Sequence, residues 1–214
     1  MKQLNNGIDL TNKIVKGANL LADYVGTTLG PKGKNVILKA PNKNPIITKD
    51  GVTVAKFFEL QDPFENLGAE VIKQASSQTN IEAGDGTTTS TVLARSMLNE
   101  ATKYVAVGYA PIEIKRGMDK AGDNIISFLK DNAKEITSVE DIEHIATISA
   151  NNDKSLGQLV AKAVDLVGKN GSITVEDSKG FNTVLEFVDG FSFDSGYLAQ
   201  AFVNNERKST VEYQ

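Results

Sequence analysis

The stretch with the most chemical content is Gly84-Asp85-Gly86-Thr87-Thr88-Thr89. Its two glycines let the backbone take positive φ and come close to a ligand. A helix that starts at the threonines offers unpaired N–H groups and about half a positive charge at its N-terminus. Three successive hydroxyls add donors that can follow a phosphate. Threonine is a poor choice inside a helix because β-branching restricts its side chain. At a first turn, capping and ligand contact offset that cost. Asp85 would repel a bare phosphate, but it suits a divalent cation that bridges carboxylate and phosphate oxygens. The combination points to a nucleotide–Mg²⁺ complex rather than a free anion. The competing reading is a glycine turn with a threonine-rich cap and no ligand.

Two other turns carry related chemistry. Thr28-Leu29-Gly30-Pro31 ends a helix in a sharp turn, and Lys49-Asp50-Gly51 puts a cation and a carboxylate on a tight turn after a strand. Lys49 could offset phosphate charge, and Asp50 could orient a water for attack on a γ-phosphate. Taken alone, each also reads as an ordinary turn. The common nucleotide motifs do not fit. Gly84-x-Gly86-x-x-Thr89 lacks the third glycine of the dinucleotide fingerprint, and Gly30-Pro31-Lys32-Gly33-Lys34-Asn35 is too short for a P-loop and lacks its Ser/Thr. His144 reads as a structural residue, and Asn170-Gly171-Ser172 as a turn.

Composition narrows the chemistry to these groups. The chain of 214 residues has no Cys and one His, so thiolate sites and His clusters within one chain are excluded. With 27 acids against 23 bases, it lacks the basic footprint of a general nucleic-acid binder. No apolar run approaches the roughly 18 residues of a membrane span, and Met1 to Leu10 lack an apolar signal region. A soluble, cytoplasmic protein is the expectation.

The elements that must position these residues follow from periodicity. Ile14, Ala18, Leu21 and Val25 share one helical face, and that helix stops at Gly30-Pro31. Val36-Ile37-Leu38 and Pro45-Ile46-Ile47-Thr48 read as a hairpin. Asp62-Pro63-Phe64-Glu65 starts a helix with Leu67, Val71 and Ala75 inward. The helix after Thr87 turns Leu93, Met97, Ala101 and Val105 inward, and the one from Pro111 does so with Ile114, Met118, Ala121, Ile125 and Leu129. These helices predict a helical domain over residues 1 to about 133. Beyond Lys134 the pattern becomes mixed. A short capped helix at Ser138 and an amphipathic one over Leu156 to Val167 precede β-type segments at 172–175, 183–188 and 210–213. The last of these runs into Gln214 without a finishing turn, so a longer parent chain is expected.

Six ordered motifs resemble the group I chaperonins, the GroEL-type ring ATPases. They are Thr28-Leu29-Gly30-Pro31-Lys32-Gly33, Thr48-Lys49-Asp50-Gly51-Val52, Gly84 to Thr89, Lys115-Arg116-Gly117, Thr147-Ile148-Ser149-Ala150-Asn151 and Gly196-Tyr197. The resemblance implies a multidomain α+β fold. Residues 1–133 would be the first half of a mainly helical equatorial ATP-binding domain with a small β-hairpin. Residues 134–188 would be the first segment of an α/β intermediate hinge domain, and 189–214 the start of an apical substrate-binding domain. It implies that Thr28, Leu29, Gly30 and Pro31 turn around the nucleotide, with Gly51 also at the site. Lys49 would lie near the phosphates and an activating monovalent cation, K⁺. Asp85 would bind Mg²⁺, Gly86, Thr87, Thr88 and Thr89 would cradle the phosphates of ATP, and Asp50 would help position the attacking water. Tyr197, Leu198 and Phe202 would contribute to the apolar surface that binds unfolded polypeptides and a GroES-type lid. Ala201 stands there where an aromatic is usual. The implied assembly is a homo-oligomer of heptameric rings, and the implied activity is ATP-driven encapsulation and folding of non-native proteins. Two alternatives are a non-hydrolysing chaperonin fragment acting through subunit or unfolded-protein binding, and a small phosphotransfer enzyme, against which the ordered motifs argue.

Overall fold

Small residues decide where the helices of the first half meet. In the computed structural model, which describes residues 4–41, 44–168, 171–176, 183–188, 195–205 and 207–211, helix α1 spans Gly7–Gly26. It buries Gly17, Ala18, Leu21, Ala22 and Val25, a single stripe. Across from it, α3 (Pro63–Ala83) buries Gly68, Ala69, Ile72 and Ser76. The contact is reciprocal. A Cβ on Gly17 would lie 1.7 Å from the Glu65 carbonyl oxygen, and one on Gly68 would lie 1.9 Å from that of Ile14. Each glycine thus rests on the carbonyl three residues before the other, closer than any side chain would permit. Salt bridges from Lys13 to Asp62 (2.8 Å) and Lys16 to Glu65 (2.6 Å) flank the crossing. The core that grows from it contains Ala18, Leu21, Val25, Val54, Ala55, Ala69 and Ile72, with Val36, Phe58, Ala94 and Leu98 packed against it.

Between these helices lie the expected hairpin and a short helix. Strands β1 (Val36–Leu38) and β2 (Ile46–Thr48) pair antiparallel, Val36 opposite Thr48 and Leu38 opposite Ile46. Helix α2 (Gly51–Phe57) follows, capped by Asp50. α3 starts as its sequence dictates: Pro63 opens it, and the Asp62 carboxylate accepts from the Phe64 and Glu65 amides. After α3 come α4 (Thr87–Ala106) and α5 (Pro111–Asn132).

The chain divides into two compact units, Met1–Lys134 and Glu135–Gln214. The second is built on α6 (Val139–Ser149) and α7 (Lys154–Val167), capped by Ser138 and Asp153. Here too a glycine sets the contact, since a Cβ on Gly157 would fall 2.0 Å from Thr147 Oγ1. The β part of the α/β reading is corrected. Residues 172–175 and 183–188 are irregular, and Val175, Val184, Phe187 and Val188 are exposed. Thr210 makes one isolated bridge, with Asn205, and Tyr213 lies outside the described residues. β-branched composition suits a strand, but a strand exists only with a ladder partner, and none pairs with these segments among the described residues.

The inward faces of three helices are corrected as well. On α3, Leu67 and Val71 are exposed while the stripe one position on is buried. On α4, Leu93, Met97 and Val105 are exposed, Thr87 and Thr91 are buried, and Ala94 and Leu98 reach the core. α5 buries none of its residues. Periodicity finds an apolar face, but close approach selects the face with small residues.

Two outcomes follow. Gly68→Ala lowers stability by about 2–3 kcal/mol, because overpacking against Ile14 outweighs the ~1 kcal/mol that alanine normally gains in a helix. An unchanged urea midpoint by circular dichroism would contradict the close crossing. The second concerns pH. The Lys13 ammonium hydrogen-bonds Asp62 and holds its carboxyl below the ordinary 3.8, helped by the Glu65 and Phe64 amides. The folded value lies below the unfolded one, so this stabilisation is full above pH 3.8 and is lost as pH falls through the depressed value. Both groups are well solvated, so the effect is small. Urea midpoints taken on either side of that value should fall more steeply with acid for the wild type than for Asp62→Asn.

Candidate functional site

Three turns that are far apart in sequence meet at one corner of the first unit. The first follows α1. Thr28 is buried there, and its hydroxyl donates to the Val25 carbonyl at 2.7 Å. The Gly33 amide donates to the Gly30 carbonyl and the Lys34 amide to that of Thr27, folding the chain sharply into β1. Leu29, Gly30 and Pro31 are exposed.

The second turn leaves β2. Thr48 Oγ1 accepts the Asp50 amide at 3.0 Å. The Asp50 carboxylate caps α2, with Oδ1 accepting from the Val52 amide at 3.3 Å and Oδ2 from the Thr53 amide at 2.9 Å. Oδ2 also accepts the Thr53 hydroxyl at 2.5 Å. Lys49 and Asp50 are exposed, whereas Gly51 is buried.

The third joins α3 to α4. Gly84 closes α3 at φ 71°, and Gly86 precedes α4 at φ 80°, both left-handed, so that two long helices are joined by three residues with a single one between the glycines. That residue is Asp85, exposed, with Oδ1 accepting the Gly86 amide at 2.6 Å. Thr87 is buried, and its carbonyl accepts the Thr91 hydroxyl at 2.8 Å. Thr88 is half-buried and Thr89 exposed.

Thr88 is where the turns touch. Its Oγ1 lies 3.3 Å from Thr28 Oγ1. A Cβ on Gly51 would come within 2.3 Å of Thr88 Oγ1 and 3.3 Å of Val25 Cγ1. The structure therefore brings Thr28, Gly51 and Thr88 into direct contact. It carries Leu29, Gly30, Pro31, Lys49, Asp50, Asp85, Gly86 and Thr89 on the same turns, open to solvent. Tyr197, Leu198 and Phe202 belong to the second unit, where all three are exposed and Phe202 ends a short 3₁₀ turn, Gln200–Phe202. His144 is exposed on α6.

The donor set suits a phosphate with its metal. The glycines leave the approach to the α4 N-terminus clear of side chains, and amides at the start of a helix favour an anion. Among the described residues, no three His, Asp or Glu side chains cluster as a metal cage. Mg²⁺ is held in another way, by one or two carboxylates, phosphate oxygens and water, and Asp85 can supply the carboxylate. A second groove, between α1 and α4, is less promising. Four of its polar lining residues are already paired, Arg95 with Asp23 and Asn19 with Asn99 in both directions.

Sequence reasoning missed two features here. The Thr28–Thr88 contact has no local signal, because the two residues are 60 apart. The capping role of Asp50 had one, an Asp followed three residues later by a threonine at the start of an apolar run.

Residues 21–212 match the model of the TCP-1/cpn60 chaperonin family, and the chain belongs to that family. Among solved structures it is similar to a group III chaperonin in the open state, with a TM-score of 0.63 and 24% identity over 74% of this chain. The match covers 32% of that chaperonin chain, so this chain spans about a third of its length. The likeness establishes a chaperonin fold.

The packing at Thr88 is testable. Gly51→Ala forces a methyl group against Thr88 and lowers stability by roughly 1–3 kcal/mol. Thr88→Ala removes the obstructing hydroxyl, so the double variant loses less than the sum of the singles. Strict additivity in urea denaturation would separate the two turns.

Proposed function

We propose that this chain carries the first part of the MgATP site of a group I chaperonin subunit, which hydrolyses ATP to drive encapsulation and folding of non-native proteins. The observation that carries this reading is the meeting of the Thr28, Gly51 and Thr88 turns. A ligand at that corner would face hydroxyls, helix-start amides and two exposed carboxylates together. Membership of the chaperonin family supports it.

In this reading Gly86 to Thr89 hold the phosphates through amides and hydroxyls, and Thr28 to Pro31 turn around the nucleotide. Asp85 holds Mg²⁺, which when bound neutralises charge on the phosphate oxygens. Lys49 offsets phosphate charge beside K⁺. Asp50 keeps the attacking water in line by accepting its hydrogen bond. Exposed Tyr197, Leu198 and Phe202 contribute an apolar surface for unfolded chains. The GroES-type lid and the heptameric rings rest on the resemblance of the sequence motifs alone, and the likeness to a group III chaperonin does not support either; the cytoplasmic setting rests on composition. No helix of the described residues is long and apolar enough to cross a membrane.

A second reading, a chaperonin piece that binds other chains without turnover, draws on exposed apolar side chains of α4 and α5, among them Leu93, Met97, Ile125, Phe128 and Leu129. Nucleotide turnover separates the two. In the product of the complete reading frame, Asp50→Ala should keep ATP binding and lose about 10²-fold or more in turnover, whereas Asp85→Ala should lose Mg²⁺-dependent binding. A steady-state phosphate-release assay and nucleotide titration check both. An Asp50→Ala protein with wild-type turnover refutes the role of Asp50. A wild type that binds but never hydrolyses ATP selects the second reading.

A further inference from the structure

We propose that Thr53 is a positioning residue for Asp50: its hydroxyl loads one carboxylate oxygen so that the other faces the reacting water. This rests on the reading of Asp50 as the group that orients that water. Asp50 sits on an exposed turn, and the terminal torsion of a carboxylate is broad and close to twofold. At Asp50 the two backbone amides of the cap split between the oxygens, one bond on each. The Thr53 hydroxyl makes the oxygens unequal. Oδ2 takes two bonds from Thr53, the amide at 2.9 Å and the hydroxyl at 2.5 Å, while Oδ1 takes one long bond from the Val52 amide at 3.3 Å. Oδ1 therefore keeps the larger capacity to accept a hydrogen bond. Because Thr53 is β-branched, its χ1 is restricted to few rotamers, and the hydrogen bond to Oδ2 selects the observed one.

The same chain shows that a capping aspartate can present its second oxygen to a partner. At the start of α3, Asp62 takes both backbone amides on Oδ1. Its Oδ2 then accepts Lys13 Nζ at 2.8 Å. At the start of α7, Asp153 gathers the Ser155 amide, the Ser155 hydroxyl and the Leu156 amide on Oδ1 alone. Asp50 differs from Asp62 in splitting its amides between oxygens, and Thr53 restores the asymmetry. The backbone amide of residue 53 would be present with any side chain except proline. The hydroxyl is what threonine adds. Its place in a helix of seven residues costs about half a kcal/mol of propensity relative to alanine.

The test uses the product of the complete reading frame and the near-isosteric Thr53→Val, with Thr53→Ser as the conservative rescue and Asp50→Ala as reference. Thr53→Val should lower kcat roughly tenfold, the scale of a misoriented catalytic group, with KM for ATP within about twofold. Thr53→Ser should return kcat to within about twofold of wild type, since it restores the hydroxyl. On the Asp50→Ala background, Thr53→Val should cost nothing further, because its effect acts through Asp50. If the valine variant does not fold by thermal melting, Thr53→Ala replaces it in the same comparisons. A kcat for Thr53→Val within twofold of wild type, or a serine variant as slow as the valine one, overturns the proposal. So does a further loss on the Asp50→Ala background. If Asp50→Ala itself turns over normally, the underlying reading of Asp50 fails. If Asp50→Ala is inactive and Thr53→Val is unimpaired, only the role of Thr53 fails.

Discussion

The arrangement of the first unit depends on one steric constraint, the reciprocal seating of Gly17 and Gly68 on the backbones of α3 and α1. It leaves no room for side chains and so sets the position of one helix along the other. The flanking bonds from Lys13 to Asp62 and Lys16 to Glu65 agree with that register. Consequences follow along both helices. α1 delivers Thr28 beyond its last turn, and α3 delivers the two left-handed glycines that start α4 one residue later. Thr28 meets Thr88 only because both helices end at the same corner. A small change in the crossing would be amplified there, since each helix is about 20 residues long and pivots on the glycine contact.

The site itself relies on a second use of missing side chains. Gly51 lets α2 press against Thr88, so the helix that Asp50 caps starts against the first turn of α4, three residues after Asp85. The capping bonds do two jobs. They satisfy the amides at the start of a short helix, and they hold a carboxylate that would otherwise rotate freely in solvent. Stability and chemistry draw here on the same hydrogen bonds, so variants at Asp50 and Thr53 need both kinds of measurement.

Local signals were legible wherever the physics is local. Asp62-Pro63 and Ser138 marked helix starts, Gly84 and Gly86 marked a turn, and the hairpin of β1 and β2 was readable from short β-branched runs between turn residues. Signals failed where a partner decides. Residues 172–175 and 183–188 have strand composition, yet among the described residues no ladder completes them. Leu67, Val71, Leu93 and Met97 have helical periodicity, yet the faces that pack are those bearing Gly68, Ala69, Ser76, Thr87 and Thr91. Dispersion and close approach reward small, complementary surfaces, and a hydrophobic pattern does not record complementarity.

By itself, the sequence determined the chemistry available: no thiol, one histidine, and turns rich in glycine, threonine and carboxylate that suit a metal–phosphate ligand. It also determined most helix boundaries, because caps and stops act over three or four residues. Only the tertiary structure decided that three such turns form one corner, that Thr88 is their meeting point, and that the Asp50 carboxylate is held by Thr53. Those facts depend on helix crossings between residues some fifty positions apart, such as Gly17 and Glu65, and no spacing within a single segment encodes them.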